Sequence, residues 1–389
     1  MKLRQIILAA CLIIFGLQYS ALHAAAEQWK LPEFMISLWG GPTDDASAQK
    51  IVEAGFNTVM VETDKLELCR KHGLKAMLFR CPTELAGKLR GDKSVWGYIL
   101  VDEPHNKEFP ALAKLVAKYR QADPTHPCYV NLDSRGCPRL LVDKVGIPFV
   151  SYDYYCWWFN QLNYYNRLEE FSNVARTDGV PLLCWVEVNA GTDAHKDRGK
   201  IYVPGNLVKL RHSVYMPLAY GAKGIQWFVD TLLFEGGQLS RCGQDVATVN
   251  AELKRLGPFL YGLRSIDAYH SATGTPPATI KKLPYSYWVQ TSTPDTVLGS
   301  FKDADNCDYI MAVNRNIDKK QTVGLWFWRQ IAAVEKFDKK TGNWANVPLC
   351  EASKVNTRKD IRYAPGELNG FQGLEIPVAP GNGELLRIR

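Results

Sequence analysis

The stretch "WGYILVDEPHNKEFP" (residues 96–110) is an apolar run that stops at two acids and a proline. Tyr98, Ile99, Leu100 and Val101 suit a protein interior, whereas Asp102 and Glu103 suit it only where that interior opens into space. A second run, "PLLCWVEV" (181–188), ends in Glu187. Under strand alternation Leu183, Trp185 and Glu187 share one face, which stays apolar until its last member. Two carboxyls facing each other across a small opening can cleave a glycosidic bond. One is kept protonated to donate to the leaving oxygen, and the other is ionised to attack the anomeric carbon. Glu62, Asp153 and Asp230 also end apolar runs, and Arg80 ends another, where it holds an acid in place or binds substrate. Each of these acids has a plain alternative as a helix cap or a salt-bridge partner, so the surrounding elements decide.

Those elements alternate regularly. Apolar runs at 34–41, 58–62, 76–80, 97–101, 128–132, 149–155, 181–188 and 224–230 are each followed by a helix-like segment. The first helix is expected to take Thr43 as its N-cap and Gly55 as its stop. Continuous apolar runs are the pattern of buried parallel strands, with amphipathic crossovers between them. Eight such units predict a (β/α)8 barrel, in which all strand-end groups project into one mouth. An open doubly wound sheet would carry a glycine-rich phosphate loop after the first strand, and "SLWGGPTDD" is not one. Past residue 263 short β-type runs replace the helices, which predicts an all-β sandwich over 264–389 after a barrel over 27–263.

In such a barrel Glu103 on strand four and Glu187 on strand seven lie nearly opposite. The layout resembles clan A glycoside hydrolases, of beta-galactosidase-like or cellulase-like type, in which strand four commonly ends in Asn-Glu followed by proline. Here the sequence is Asp102-Glu103-Pro104. The stretch "RHSVYMPLAYGAKGIQWF" is similar to the seventh helix and eighth strand of the beta-galactosidase-like members. The resemblance implies a retaining hydrolase with Glu103 as acid/base, Glu187 as nucleophile, Trp227 as the aromatic floor, and Tyr152 or Tyr154 as hydrogen-bond donor to the nucleophile. Asp102 departs from the pattern: an amide would donate to the sugar 2-hydroxyl, whereas an ionised carboxylate only accepts, and its charge would raise the pKa of Glu103. An ionised nucleophile needs donors nearby, and Tyr152, Tyr154 and Arg80 are the expected ones. Trp157, Trp158 and Phe159 in the loop after strand six, with Trp39 and Trp185, add flat rings on which the C–H faces of a sugar stack, or else they are core.

The bulk properties narrow the class. Residues 1–24 read as a cleaved export signal, with Lys2 and Arg4 before "IILAACLIIFGL" and small residues after it, so the mature chain is expected to be periplasmic or secreted without stable membrane insertion. The net charge of +7 across 389 residues comes without a basic run, so nucleic acid is not an expected partner, while a carbohydrate is. No H-x-H, H-E-x-x-H or G-x-S-x-G occurs, and no cofactor or metal is expected. Cys69 with Cys81, or Cys128 with Cys137, are candidate disulfides, while Cys128 and Cys184 also read as buried strand residues. Two rival readings stand beside the retaining hydrolase. One is a carbohydrate-binding protein on a decayed barrel, and the other an inverting enzyme that uses Asp102 or Asp230.

Overall fold

A computed structural model describes residues 29–157, 161–192, 202–228, 232–272, 280–356 and 368–389. The segment read as an export signal lies outside these residues. Eight parallel strands run in the order of the sequence: Met35–Leu38, Thr58–Glu62, Lys75–Phe79, Val95–Asp102, Cys128–Asn131, Val150–Tyr152, Leu182–Glu187 and Ala222–Phe228. Strand eight pairs with both strand one and strand seven. The ring closes between strands five and six, where the Leu132 N–H donates to the Ser151 carbonyl (3.2 Å) and the Asp153 N–H to the Leu132 carbonyl (3.0 Å). The expected (β/α)8 barrel is the fold.

Local chemistry sets the helices. Asp44, one residue past the expected Thr43, caps Asp45–Glu53: its carboxylate accepts the Ser47 N–H (2.8 Å) and the Ser47 hydroxyl oxygen accepts the Asp44 N–H (3.0 Å). This reciprocal pair satisfies two of the helix's free donors. Gly55 then takes φ 92°, where a side chain is disfavoured, and ends the unit. After strand five the expected helix shrinks to a turn, Pro138–Leu140, and a π-type turn, Leu141–Val145, stopped by Gly146 at φ 77°. No helix among the described residues is long and apolar enough to cross a membrane.

The C-terminal region packs a six-stranded antiparallel sheet, which begins at Arg264–His270 and ends with Gly383–Ile388, against a four-stranded one around Gln321–Phe327 and Gln372–Val378. Its outer core is its own, with Val323, Leu325, Phe327 and Ile376 buried. The other face of the larger sheet joins the barrel core through Val297, Phe301, Met311 and Val313. Contact is close there, since a Cβ on Gly299 would lie 2.1 Å from the Ala219 carbonyl oxygen at the end of helix Leu207–Ala219.

All nine described cysteines carry free thiols, so neither candidate disulfide forms. Cys128 and Cys184 are buried strand residues, as their apolar surroundings indicate. Burial pushes the Cys69 and Cys81 thiols up to about 11 and Cys128 up to about 12, which keeps them from the reactive thiolate form.

Candidate active site

The barrel interior just below the mouth is a buried polar belt. The Tyr129 hydroxyl accepts from the Trp185 indole N–H (2.8 Å) and the Gln226 amide (2.8 Å), and lies 2.7 Å from the Ser151 hydroxyl. These groups come from strands five, six, seven and eight, and the belt fixes which residues of each strand point inward. Above it, the next inward positions carry acids on strands six and seven and an aromatic, Phe228, on strand eight.

Strand four ends with Asp102 exposed and Glu103 half-buried. Glu103 takes φ 49°, a left-handed conformation that is strained for a non-glycine residue and more so before proline. Such strain costs on the order of 1–3 kcal/mol and clusters where a side chain must be aimed. The backbone is held by its N–H, which donates to the Asn131 carbonyl (3.1 Å). Arg135 donates to Glu103 (2.7 Å) and to Asp133 (2.5 Å), bridging the two carboxylates. Desolvation first, then the charges of Asp133 and Asp102, raise the Glu103 pKa, against the opposing pull of Arg135. Asp102 keeps solvent access, yet enough protein surrounds its carboxyl for desolvation to raise its pKa as well.

Asn131 ties strand four to strand six. Its amide donates to Asp153 (2.7 Å) and stands 3.3 Å from Asp102. Asp153 also accepts from Tyr155, and burial pushes its carboxyl up to about 7, with Glu103 and Asp102 adding repulsion. Glu187, at the end of strand seven, is 1% exposed. It accepts the Trp157 backbone N–H (2.8 Å) and the Cys156 thiol (3.4 Å). Desolvation pushes it up to about 8, and Asp153 contributes repulsion. Carboxyls from strands four, six and seven therefore meet electrostatically at one mouth, with Asp153 between the other two.

This arrangement corrects several expectations. Burial pushes the Glu187 carboxyl up to about 8, which favours its protonated form, where an ionised nucleophile was expected. Its donors are its own backbone N–H, Trp157 and Cys156; the Tyr152 hydroxyl donates instead to the Tyr164 carbonyl (2.8 Å), and Arg80 stands out in solvent. Tyr152 points away from the barrel axis because Ser151 and Asp153 take the inward positions on either side of it. Trp227 is likewise turned outward, fully buried, with its indole N–H on the Asn250 side chain (2.9 Å), so it is no floor for a sugar. Its neighbour Phe228 takes the mouth position, stacked on Tyr155 (5.8 Å) and edge-on to Trp39 (6.2 Å). Trp185 is buried under Trp39 (5.3 Å) and supports that ring rather than meeting a ligand. Trp39 itself is partly open. Tyr154 is buried. Glu62 and Arg80 face each other at the rim at 3.5 Å, both well exposed, and Arg80 shares the left-handed backbone (φ 47°). Trp158, Phe159 and Asp230 lie outside the described residues.

Asn131, Asp133, Arg135 and Cys156 play no part in the sequence reading of the site, and Trp157 enters it only as a ring for stacking. "NLDSR" after strand five was a signal available for the first three, since polar residues end that apolar run too; Cys156 and the main-chain role of Trp157 had none, because a loop has no periodicity. Among the described residues no group of three or more His, Cys, Asp or Glu is placed to hold a metal ion. A cavity of about 710 Å³ lies at the opposite end of the barrel, near Trp29, Lys223 and Tyr261. Asp178 is its carboxylate, already paired with Arg139, so the converging acids belong to the mouth.

No family model matches the sequence, and no curated protein matches it. Solved structures do. Alpha-L-fucosidase isoenzyme 2 from Paenibacillus thiaminolyticus aligns over 92% of this chain and 99% of its own, with 8% identity and a TM-score of 0.58. A catalytic mutant of a GH42 beta-galactosidase from G. stearothermophilus aligns over the same shares with 8% identity and a TM-score of 0.55. The structural neighbours are glycoside hydrolases. At this identity the likeness is one of fold, and it spans both the barrel and the β region.

Proposed function

We infer that the protein is an exported glycoside hydrolase that cleaves O-glycosidic bonds of an oligo- or polysaccharide. The observation that carries this reading is the meeting of carboxyls from strands four, six and seven at one barrel mouth, beside the partly open Trp39 ring. In the retaining form, Glu103 protonates the leaving oxygen while Glu187 attacks the anomeric carbon and forms a glycosyl ester. Glu103 then takes a proton from water, which hydrolyses the ester. The raised pKa of Glu103 suits its first role. Glu187 must first lose its proton, and the Trp157 N–H and Cys156 thiol are the donors that would hold its ionised form.

A second reading has a specific observation in its favour. Of the described acids that end strands four, six and seven, Asp102 is the exposed one, whereas Glu187 is covered, so an inverting reaction with Asp102 as the base toward water fits this structure. One experiment separates them. The purified protein is screened against aryl glycosides and polysaccharides, and the anomeric configuration of the first product is followed by NMR. Retention, with a 2-fluoro glycoside label on the peptide carrying Glu187, supports the first reading; inversion without label supports the second. Binding without turnover on any substrate would leave a carbohydrate-binding protein.

A further inference from the structure

Glu187 is held by a two-residue step that the sequence gives no reason to single out. The Cys156 thiol is 3.4 Å from Glu187 Oε1, and the Trp157 backbone N–H reaches the same oxygen at 2.8 Å. Both residues lean on one hydroxyl of helix Leu207–Ala219. Ser213 Oγ accepts the Trp157 indole N–H at 2.9 Å and lies 3.5 Å from Cys156 Sγ. The Trp157 ring is further packed between His212 (5.0 Å between rings) and the Lys209 ammonium (4.9 Å from the ring centre). The grip on Glu187 is thus anchored in the barrel's outer layer, not in the mouth.

We propose that Cys156 and Trp157 form a clamp on Glu187, pinned by Ser213, and that Cys156 is a positioning residue of the site. The thiol is a weak donor, but it is a fully buried one, aimed at a carboxyl that has few other partners. Among the described residues the groups facing this carboxyl are these, besides its own backbone N–H. Asp153 lies on the strand-six side, with Tyr155 next to it; Cys156 and Trp157 come from the loop; and His212, behind the thiol at 3.8 Å, is kept neutral by burial, which pushes its pKa down to about 3, with Arg315 adding to that. Among the described residues no cation is a leading influence on Glu187. Its ionised form therefore depends on its own backbone N–H and on the two donors of the clamp. A donor to the charged form favours that form, so removing the thiol must make Glu187 harder to ionise, and a hydroxyl in its place must make it easier.

The catalytic meaning of the clamp rests on the reading of Glu187 as nucleophile, but its test does not. The full-length protein is labelled with carboxyl-13C glutamate, and the resonance that titrates near pH 8 and is missing from Glu187→Gln is followed by NMR. In Cys156→Ala its midpoint should rise by about half a pH unit or more, and in Cys156→Ser it should return to the native value or fall below it. Ser213→Ala, which loosens the pin without touching Glu187, should also raise it, and it serves as the second variant if Cys156→Ala does not fold. Midpoints unchanged in folded Cys156→Ala, or in folded Ser213→Ala where it stands in, would overturn the clamp. A shifted midpoint together with no glycosyl label on Glu187 would overturn the nucleophile reading and leave the clamp standing.

Discussion

The ends of strands four and seven make an instructive pair. Each is an apolar run that stops at a glutamate, yet Glu103 is half-buried and ion-paired with Arg135, while Glu187 is sealed and shares its contacts with a thiol and a backbone N–H. Their pKa values rise for partly different reasons. Both are desolvated, but Glu103 has an arginine working against the rise and Glu187 has no cation among its leading influences. An acid at a strand end therefore carries no fixed protonation state; the loop that follows the neighbouring strand decides it.

The largest expected effect separates the two by chemistry. Glu103→Gln should lower turnover of substrates with poor leaving groups by roughly 10²- to 10⁴-fold, the usual worth of a general acid. Activated aryl glycosides should keep their first step, and azide should restore the second; equal loss on every substrate without rescue would make Glu103 structural.

The next effect separates them by stability. Glu187 has a folded-state pKa of about 8 against an ordinary 4.5, so between those values the folded protein binds a proton that the unfolded chain does not. The stabilisation is fully present below pH 4.5 and is lost as pH rises through 8. Glu187→Gln, which cannot ionise, should match the native protein at pH 4 and exceed it above pH 8 by an order of a few kcal/mol. Denaturant melts at the two pH values measure this, and parallel curves would show that Glu187 is not sealed in solution.

The smallest effect concerns Arg135, the cation after strand five that pairs with Glu103. Arg135→Ala should raise the pKa of Glu103 and carry the basic limb of the pH–rate profile upward with it. Arg135 is a surface residue, so the melting temperature should stay where it is. A basic limb that does not move would detach Arg135 from Glu103 in solution.

The barrel was legible because its strands are buried on both faces and its crossovers are amphipathic, two patterns that do not depend on detail. The same double burial hides strand parity. In "AKGIQWFVD" apolar residues occupy both faces, and only Gln226, drawn into the Tyr129 belt, reveals that Phe228 and not Trp227 faces the mouth. Tyr152 was misplaced for the same reason, since Ser151 and Asp153 are the inward pair. The covering of Glu187 was not legible at all, because Cys156 and Trp157 sit in an aperiodic loop and act through a thiol and a main-chain group.

The close approach at Gly299 has a consequence at the level of the gene. The larger sheet of the C-terminal region completes the barrel's wall over helix Leu207–Ala219, and only a residue without a side chain fits against the Ala219 carbonyl. Recombination that moved residues 29–263 onto another partner would leave Val297, Phe301 and Met311 without their cover and the helix without its neighbour. The two halves share one core, and the expected consequence is that they melt in a single transition and that neither is exchanged alone.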